Sequence, residues 1–220
     1  ELGMEELAVT VMEKLASQDT FTNILAAILS AGEYYSEKEV QAFVEKQNLL
    51  ALLPEEEKEK LRADSFLMYK RMLKAISLYD DILRREAEIK DQNFLGNVYH
   101  NKGTALAKNM ELTKAKLCFL EAYQRNKKRA SLEAYVILRL LEAPRETVEE
   151  EARTFGMEEA DFVRIADNLE DATEDAESTV AYVRYQKAVY NKEHGDYEAF
   201  NQRVDMLLNQ WKEEFREQVI

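Results

Sequence analysis

The pattern of hydrophobic and polar positions in this chain is helical almost throughout. Apolar residues recur at spacings of three and four, and strict alternation over more than a few residues is hard to find. Near the start, Val11 and Leu15 belong to one apolar face, and Ile24 and Ile28 belong to the next. These faces predict two helices joined as a hairpin across residues 17–19.

Capping residues and helix breakers divide the rest of the pattern, giving about eleven helices in all. Ser36 and Glu39 have the spacing of a capping box, which predicts the start of a third helix. Pro54 stands where the first turn of a helix tolerates proline, and a long helical stretch follows to about Lys90, with a break near residues 64–65. Further helices are predicted near residues 129–142, 144–155, 158–175, 178–194 and 197–218.

Composition agrees with an all-α fold. The chain of 220 residues contains six Gly and two Pro, and its commonest residues lose little rotamer freedom in a helix. No Gly/Ser/Pro-rich linker interrupts it. We therefore expect a single helical domain over residues 1–220, in which residues 1–50 form an N-terminal helical cap.

The most specific motif lies between residues 96 and 128. Six positions there alternate bulky and small side chains at helical spacing: Tyr99, Gly103, Leu106, Ala115, Phe119 and Ala122. Gly103 and Ala115 are small, which is expected where two antiparallel helices approach closely. Residues 109–111 are the predicted turn. This spacing resembles the tetratricopeptide repeat.

The resemblance implies antiparallel hairpins stacked as a right-handed α-α superhelix. Two residues depart from the repeat pattern, since Lys102 replaces the usual Leu and Lys127 stands where Pro is frequent. A weaker echo covers residues 181–210, where Ala188 and Ala199 occupy small positions. This second repeat is degenerate, because Ala199 follows Ala188 by eleven residues rather than twelve.

Tetratricopeptide families bind protein segments along the first helices of their repeats. The residues that this resemblance places in such a groove are Asn97, His100, Asn101, Thr104, Ala107 and Lys108. The alternative interpretation is that these residues bind no ligand and are simply exposed, or are covered by the N-terminal helices. The Lys/Asn carboxylate clamp of chaperone-binding members is not reproduced, because His100 and Thr104 stand at its positions.

Charge narrows the expected partners. The net charge of −13 disfavours nucleic acid and anionic lipid, so neither is an expected partner. Residues 101–129 carry eight basic and two acidic residues, whereas residues 145–178 carry 13 acidic and three basic ones. Both segments are interpreted first as solvated helix faces, and the basic one favours a neutral or acidic ligand.

Other motifs carry less weight. Residues 147–165 have the spacing of a DNA-binding helix-turn-helix, but the second helix is acidic and would be repelled by phosphates. The acidic residues 170–177 lack the ligand spacing of a calcium loop and are interpreted as a solvated helix face or a flexible loop. His100 and His194 lie in no metal-binding motif, and Cys118 has no CxxC partner.

The predicted function is therefore non-catalytic, with no cofactor or metal: an adaptor or assembly scaffold that binds a peptide or protein segment. The alternative is a regulatory or sensor domain of a larger signalling or transcription protein. A helical enzyme has no supporting motif. No hydrophobic run approaches the ~20 residues of a membrane span, no secretory signal is recognised and one cysteine forms no internal disulfide, so we expect a cytoplasmic protein.

Overall fold

The regular elements of the protein are helices. The computed structural model describes residues 5–32 and 34–219, with side chains up to residue 216. Over these residues it has twelve α-helices: α1 (Glu5–Ala16), α2 (Phe21–Ala31), α3 (Glu37–Ala51), α4 (Glu55–Met68), α5 (Met72–Leu83), α6 (Gln92–Lys108), α7 (Leu112–Asn126), α8 (Arg129–Leu140), α9 (Arg145–Thr154), α10 (Glu159–Glu177), α11 (Val180–Glu193) and α12 (Tyr197–Val219). The predicted all-α fold class is confirmed.

The chain divides into two compact units, residues 1–62 and residues 63–220. Helix α4 contains this boundary, and its residues from Ala63 onward belong to the second unit. The prediction of one domain with an N-terminal cap over residues 1–50 stays a prediction.

The first unit has the two helix starts that the sequence predicts. Thr20 caps α2 by accepting a hydrogen bond from the backbone N–H of Asn23, and Ser36 and Glu39 form the predicted capping box of α3. In the α1–α2 turn, Asp19 accepts hydrogen bonds from Asn23, Lys14 and the backbone of Thr20, which lower its pKa to about 2. The predicted hairpin is therefore present.

The break between α4 and α5 differs from the prediction. It falls at residues 69–71 rather than 64–65, and α5 ends at Leu83 instead of continuing to Lys90, with a short 3-10 helix, Glu86–Glu88, after it. Lys70 has a left-handed backbone with φ of 58°. A glycine is the usual sequence signal for this conformation at a helix end, and this turn contains none. Asp64 lies within α4, and its carboxylate accepts hydrogen bonds from Tyr79 and Asn101 on other helices.

Helices α6 and α7 form the predicted hairpin of residues 96–128. Asn109 to Glu111 make the turn, with φ of 63° at Met110, and α7 begins at Leu112 as expected. Gly103 lies against the ring of Phe119: a Cβ atom placed on Gly103 would lie 2.9 Å from Phe119 Cε1. The small residue is needed at this crossing, as the spacing indicated.

The C-terminal helices fall close to their predicted ranges. Gly156 and Gly195, with φ of 83° and 79°, follow the ends of α9 and α11. The larger hydrophobic core joins α6 and α7 to α8, α9 and the first half of α10, and a second core joins α4, α5 and α6. The acidic residues 170–177 are helical and exposed, so the flexible-loop interpretation is wrong.

Candidate protein-binding face of helix α6

Helix α6 carries the six side chains of the predicted groove, and its first turn is capped. Asp91 caps its N-terminus by accepting hydrogen bonds from the backbone N–H groups of Asn93 and Phe94. Of the predicted groove residues only Lys108 is exposed; the other five, Asn97, His100, Asn101, Thr104 and Ala107, are half-buried. Most of the predicted groove side chains are therefore partly covered by the protein itself.

Asn101 links α6 to α4. Its side-chain amide donates to Asp64 Oδ1 over 2.7 Å, and the hydroxyl of the buried Tyr79 on α5 donates to the same oxygen over 2.5 Å. Burial, followed by the hydrogen bond to Asp64, raises the pKa of Tyr79 far above its usual value. Asn101 is thus a structural contact between helices, and only its remaining surface is open to a ligand.

His100 links α6 to α8 on the other side. Its Nδ1 lies 3.0 Å from the hydroxyl of Ser131, a residue that is only 1% exposed. The imidazole also packs edge-on against the ring of Phe119, with 5.3 Å between ring centroids. This histidine is held in a polar and aromatic contact inside the helical stack.

The two remaining polar residues, Asn97 and Thr104, each form a hydrogen bond within the protein and keep part of their surface exposed. Asn97 Oδ1 accepts from Lys128 Nζ over 2.7 Å, and the Thr104 hydroxyl donates to the carbonyl of His100 over 3.1 Å. Ala107 is half-buried and packs against the larger core. An extended segment lying along α6 would therefore meet Asn97 and Thr104, which are about two turns apart, and Lys108 about one turn further on.

Both departures from the repeat pattern have a structural reason. Lys102 forms an ion pair with Asp80 on α5, with Nζ and Oδ1 2.6 Å apart, so its charge is compensated within the α5–α6 packing. Lys127 ends α7 in a left-handed conformation with φ of 55°. Proline cannot adopt a positive φ, so Lys127 fits this chain where Pro would not.

The predicted basic surface of residues 101–129 is largely neutralised. Five of its eight basic residues form ion pairs with acidic residues: Lys102, Lys114, Lys116, Arg125 and Arg129. Lys127 lies over the ring of Tyr123 and Lys128 is bound to Asn97. Lys108 forms no ion pair within the described part of the chain. The positive charge of this segment is therefore local and not spread along a groove.

A cluster that the sequence analysis missed surrounds Lys108. A cavity of about 500 Å³ lies where the α4–α5 turn meets the C-terminal end of α6 and the end of α12. It is lined by Lys70, Arg71, Met72, Leu73, Lys74, Lys108, Asn109 and Phe215, and we call it the turn pocket. A run of basic residues at 70–74 was the available signal, but its proximity to Lys108 and Phe215 is a product of folding.

Other candidate chemistry is sparse. Across the residues that the structure describes, no group of three His, Cys, Asp or Glu side chains is placed to hold a metal ion. Cys118 is buried, and burial raises the pKa of its thiol. Within the described residues, no helix combines the length and apolar character needed to cross a membrane.

No family model, no curated protein and no solved structure matches this chain.

Proposed function

We propose that this protein is a non-catalytic interaction module, an adaptor or assembly scaffold, which binds a peptide or protein segment along a tetratricopeptide-like helical stack. In this proposal residues 96–128 are the best-matched repeat, residues 181–210 are a degenerate repeat, and the hairpins follow a right-handed superhelix.

The observation that carries the proposal is a pair of hydrogen bonds across α6. Asn101 binds Asp64 on α4, and His100 contacts Ser131 on α8. In this proposal α4, α6 and α8 are the first helices of three successive hairpins, so these contacts join first helix to first helix. That is the neighbour relation on which the groove of a helical-repeat protein depends.

The α4–α5 and α6–α7 turns lend further support. Residues of the α4–α5 turn and of the α6–α7 turn line the same cavity. Two hairpins whose turns lie at the same edge have their first helices running in the same direction. A segment bound along one first helix can then continue onto the next, as extended ligands do in repeat proteins.

The expected ligand is a protein because the chain carries a net charge of −13, which opposes the binding of a nucleic acid or an anionic membrane. Asn97 and Thr104 would contact backbone amides of an extended segment, and Lys108 would contact an acidic or polar group at its end. A cytoplasmic location belongs to the same proposal.

The test is an unbiased pull-down from native lysate, followed by a tiled peptide array of every retained protein. We expect a short segment that binds the wild type saturably and binds Thr104→Arg much more weakly, because the arginine fills the face of α6. Thr173→Arg is the matched control, since Thr173 makes the same type of hydrogen bond to the fourth preceding carbonyl on α10. Unchanged melting temperatures are required of both variants.

Two results would count against the proposal. If no retained protein yields a binding segment, the chain is not a segment-binding module. If a segment binds the wild type and both variants with equal affinity, the first-helix face of α6 is not the site.

A further inference from the structure

The turn pocket combines positive charge with an apolar lining. Lys70 and Arg71 come from the α4–α5 turn, Lys74 from the first turns of α5, and Lys108 from the last turn of α6. All four side chains are exposed. They gather around one cavity in a protein whose net charge is −13.

Among the described residues, three of these charges have no ion-pair partner. Lys70, Arg71 and Lys108 form no ion pair in the portion of the chain that the structure describes. The nearest acidic residue in the α6–α7 turn, Glu111, is already bound by Lys114 and by the Asn109 amide, at 2.6 and 2.7 Å. Like charges held together without a counterion raise the local potential, which attracts an anionic group.

The apolar part of the lining is also open. Leu73 is 71% exposed and Phe215 is 67% exposed, and the half-buried Met72 also belongs to the lining. Lys74 places its ammonium 5.0 Å from the ring centroid of Phe66, so part of its stem follows an apolar surface. A cavity of about 500 Å³ with this lining has room for one or two large side chains.

We propose that the turn pocket binds an acidic protein segment that inserts a bulky apolar side chain between Leu73 and Phe215 while its carboxylates face Lys70, Arg71 and Lys108. This inference rests on the proposed function. It specifies the chemistry of the bound segment at the end of the α6 face near Lys108. A nucleic acid is disfavoured, because the acidic remainder of the protein repels an extended polyanion, and a short carboxylate-bearing segment meets only the local cluster.

The probe is a fluorescein-labelled peptide, Gly-Asp-Glu-Asp-Phe-Leu-Asp-Glu-Asp-Gly, whose anisotropy is followed as the full chain is titrated at low and at physiological salt. One control peptide replaces Phe-Leu by Ser-Ser, and a second replaces every acidic residue by Lys. Labelled oligothymidylate is the nucleic-acid probe. We expect the first peptide to bind best, with an affinity that falls as salt rises.

Two matched pairs of variants locate the site. Lys108→Glu combined with Lys70→Glu is compared with Lys187→Glu, which reverses an exposed charge on α11 away from the pocket lining. Phe215→Ala is compared with Met206→Ala, an equally exposed apolar residue of α12 outside the lining. We expect a several-fold loss for the pocket variant of each pair and wild-type affinity for each control.

The outcomes separate this inference from the proposed function. Equal affinity of the peptide for wild type and for both pocket variants would overturn the proposal that the turn pocket binds an acidic segment. Stronger binding of the Ser-Ser peptide, the Lys peptide or oligothymidylate would overturn it as well. If the acidic peptide fails to bind but the segment mapped by the array still binds along α6, the inference is wrong and the proposed function stands. If neither binds, both are wrong.

Discussion

The α6–α7 and α11–α12 hairpins are built alike but packed differently. Each has a small residue in its first helix, Gly103 in α6 and Ala188 in α11, and each ends its first helix in a turn with a positive φ, at Met110 and Gly195. Helices α6 and α7 bury ten residues between them. The buried side chains among the described residues of α11 and α12 are Ala188 and Leu207.

The neighbouring helices account for the difference in burial between the two hairpins. The α6–α7 hairpin packs against α5 on one side and α8 on the other, whereas α11 and α12 pack chiefly on each other with a smaller contact to α10. A residue in the first hairpin is therefore fixed by two sets of contacts, and a residue in the second by one. The hairpin with the stronger constraints is also the one whose sequence resembles the repeat pattern more closely.

The largest expected effect is on the free energy of unfolding, in a comparison of two equally buried leucines. Leu106 and Leu207 are 2% and 3% exposed, but only Leu106 belongs to the larger core. Leu106→Ala should lower the free energy of unfolding by about 2–5 kcal/mol, because its surroundings cannot close over the cavity. Leu207→Ala should cost clearly less. Urea unfolding followed by circular dichroism measures both, and equal losses would contradict the contrast between the hairpins.

Gly103→Leu and Ala188→Leu compare the two small positions. The new side chain at residue 103 meets the ring of Phe119, which is 5% exposed and has no room to turn away. Overpacking of this kind costs about 1–3 kcal/mol, and the loss at residue 188 should be smaller because fewer elements surround it. Thermal melts are the measurement. An unchanged melt for Gly103→Leu would show that the helix crossing is assigned incorrectly.

Much of the helical framework was predictable because its signals are local. Ser36 and Glu39 form their capping box within one turn, and Gly156 and Gly195 follow helix ends where positive φ is required. Residues 96–128 were recognisable because two neighbouring helices impose size limits on regularly spaced positions. Each of these features depends on residues close together in sequence.

The groove chemistry was only partly predictable, because it depends on distant partners. Asn101 and His100 were placed in a groove by the resemblance to the tetratricopeptide repeat, but they bind Asp64 on α4 and Ser131 on α8. The turn pocket also escaped prediction, because Phe215 reaches Lys108 only through the fold. The end of α4 was misplaced for a local reason, since Lys70 adopts its left-handed conformation without a glycine.

A pH effect of intermediate size is expected from the tightly packed hairpins. Burial, followed by hydrogen bonds to Glu86 and Glu151, raises the pKa values of Tyr99 and Tyr135 to about 12. Because the pKa is higher in the folded state, this stabilisation is complete below the usual tyrosine pKa of ~10. It is lost as pH rises from there through about 12.

The free energy of unfolding should therefore fall with pH over that window. Replacing both residues by Phe should cost about 1 kcal/mol per hydrogen bond at neutral pH and make the alkaline decline shallower. Unfolding in urea at a series of pH values, for wild type and the double variant, provides the measurement. Parallel declines in the two proteins would show that these tyrosines do not control alkaline stability.

The smallest effect, on binding rather than folding, tests the central claim most directly. The segment mapped from the pull-down is titrated into wild type, Lys108→Glu and Glu174→Lys at two ionic strengths. Exposed charges contribute about 0–1 kcal/mol each, so Lys108→Glu should weaken binding several-fold, more at low salt than at high salt, while Glu174→Lys on the acidic end of α10 changes little. Equal affinities for wild type and Lys108→Glu under both conditions would contradict the assignment of this face as the binding site.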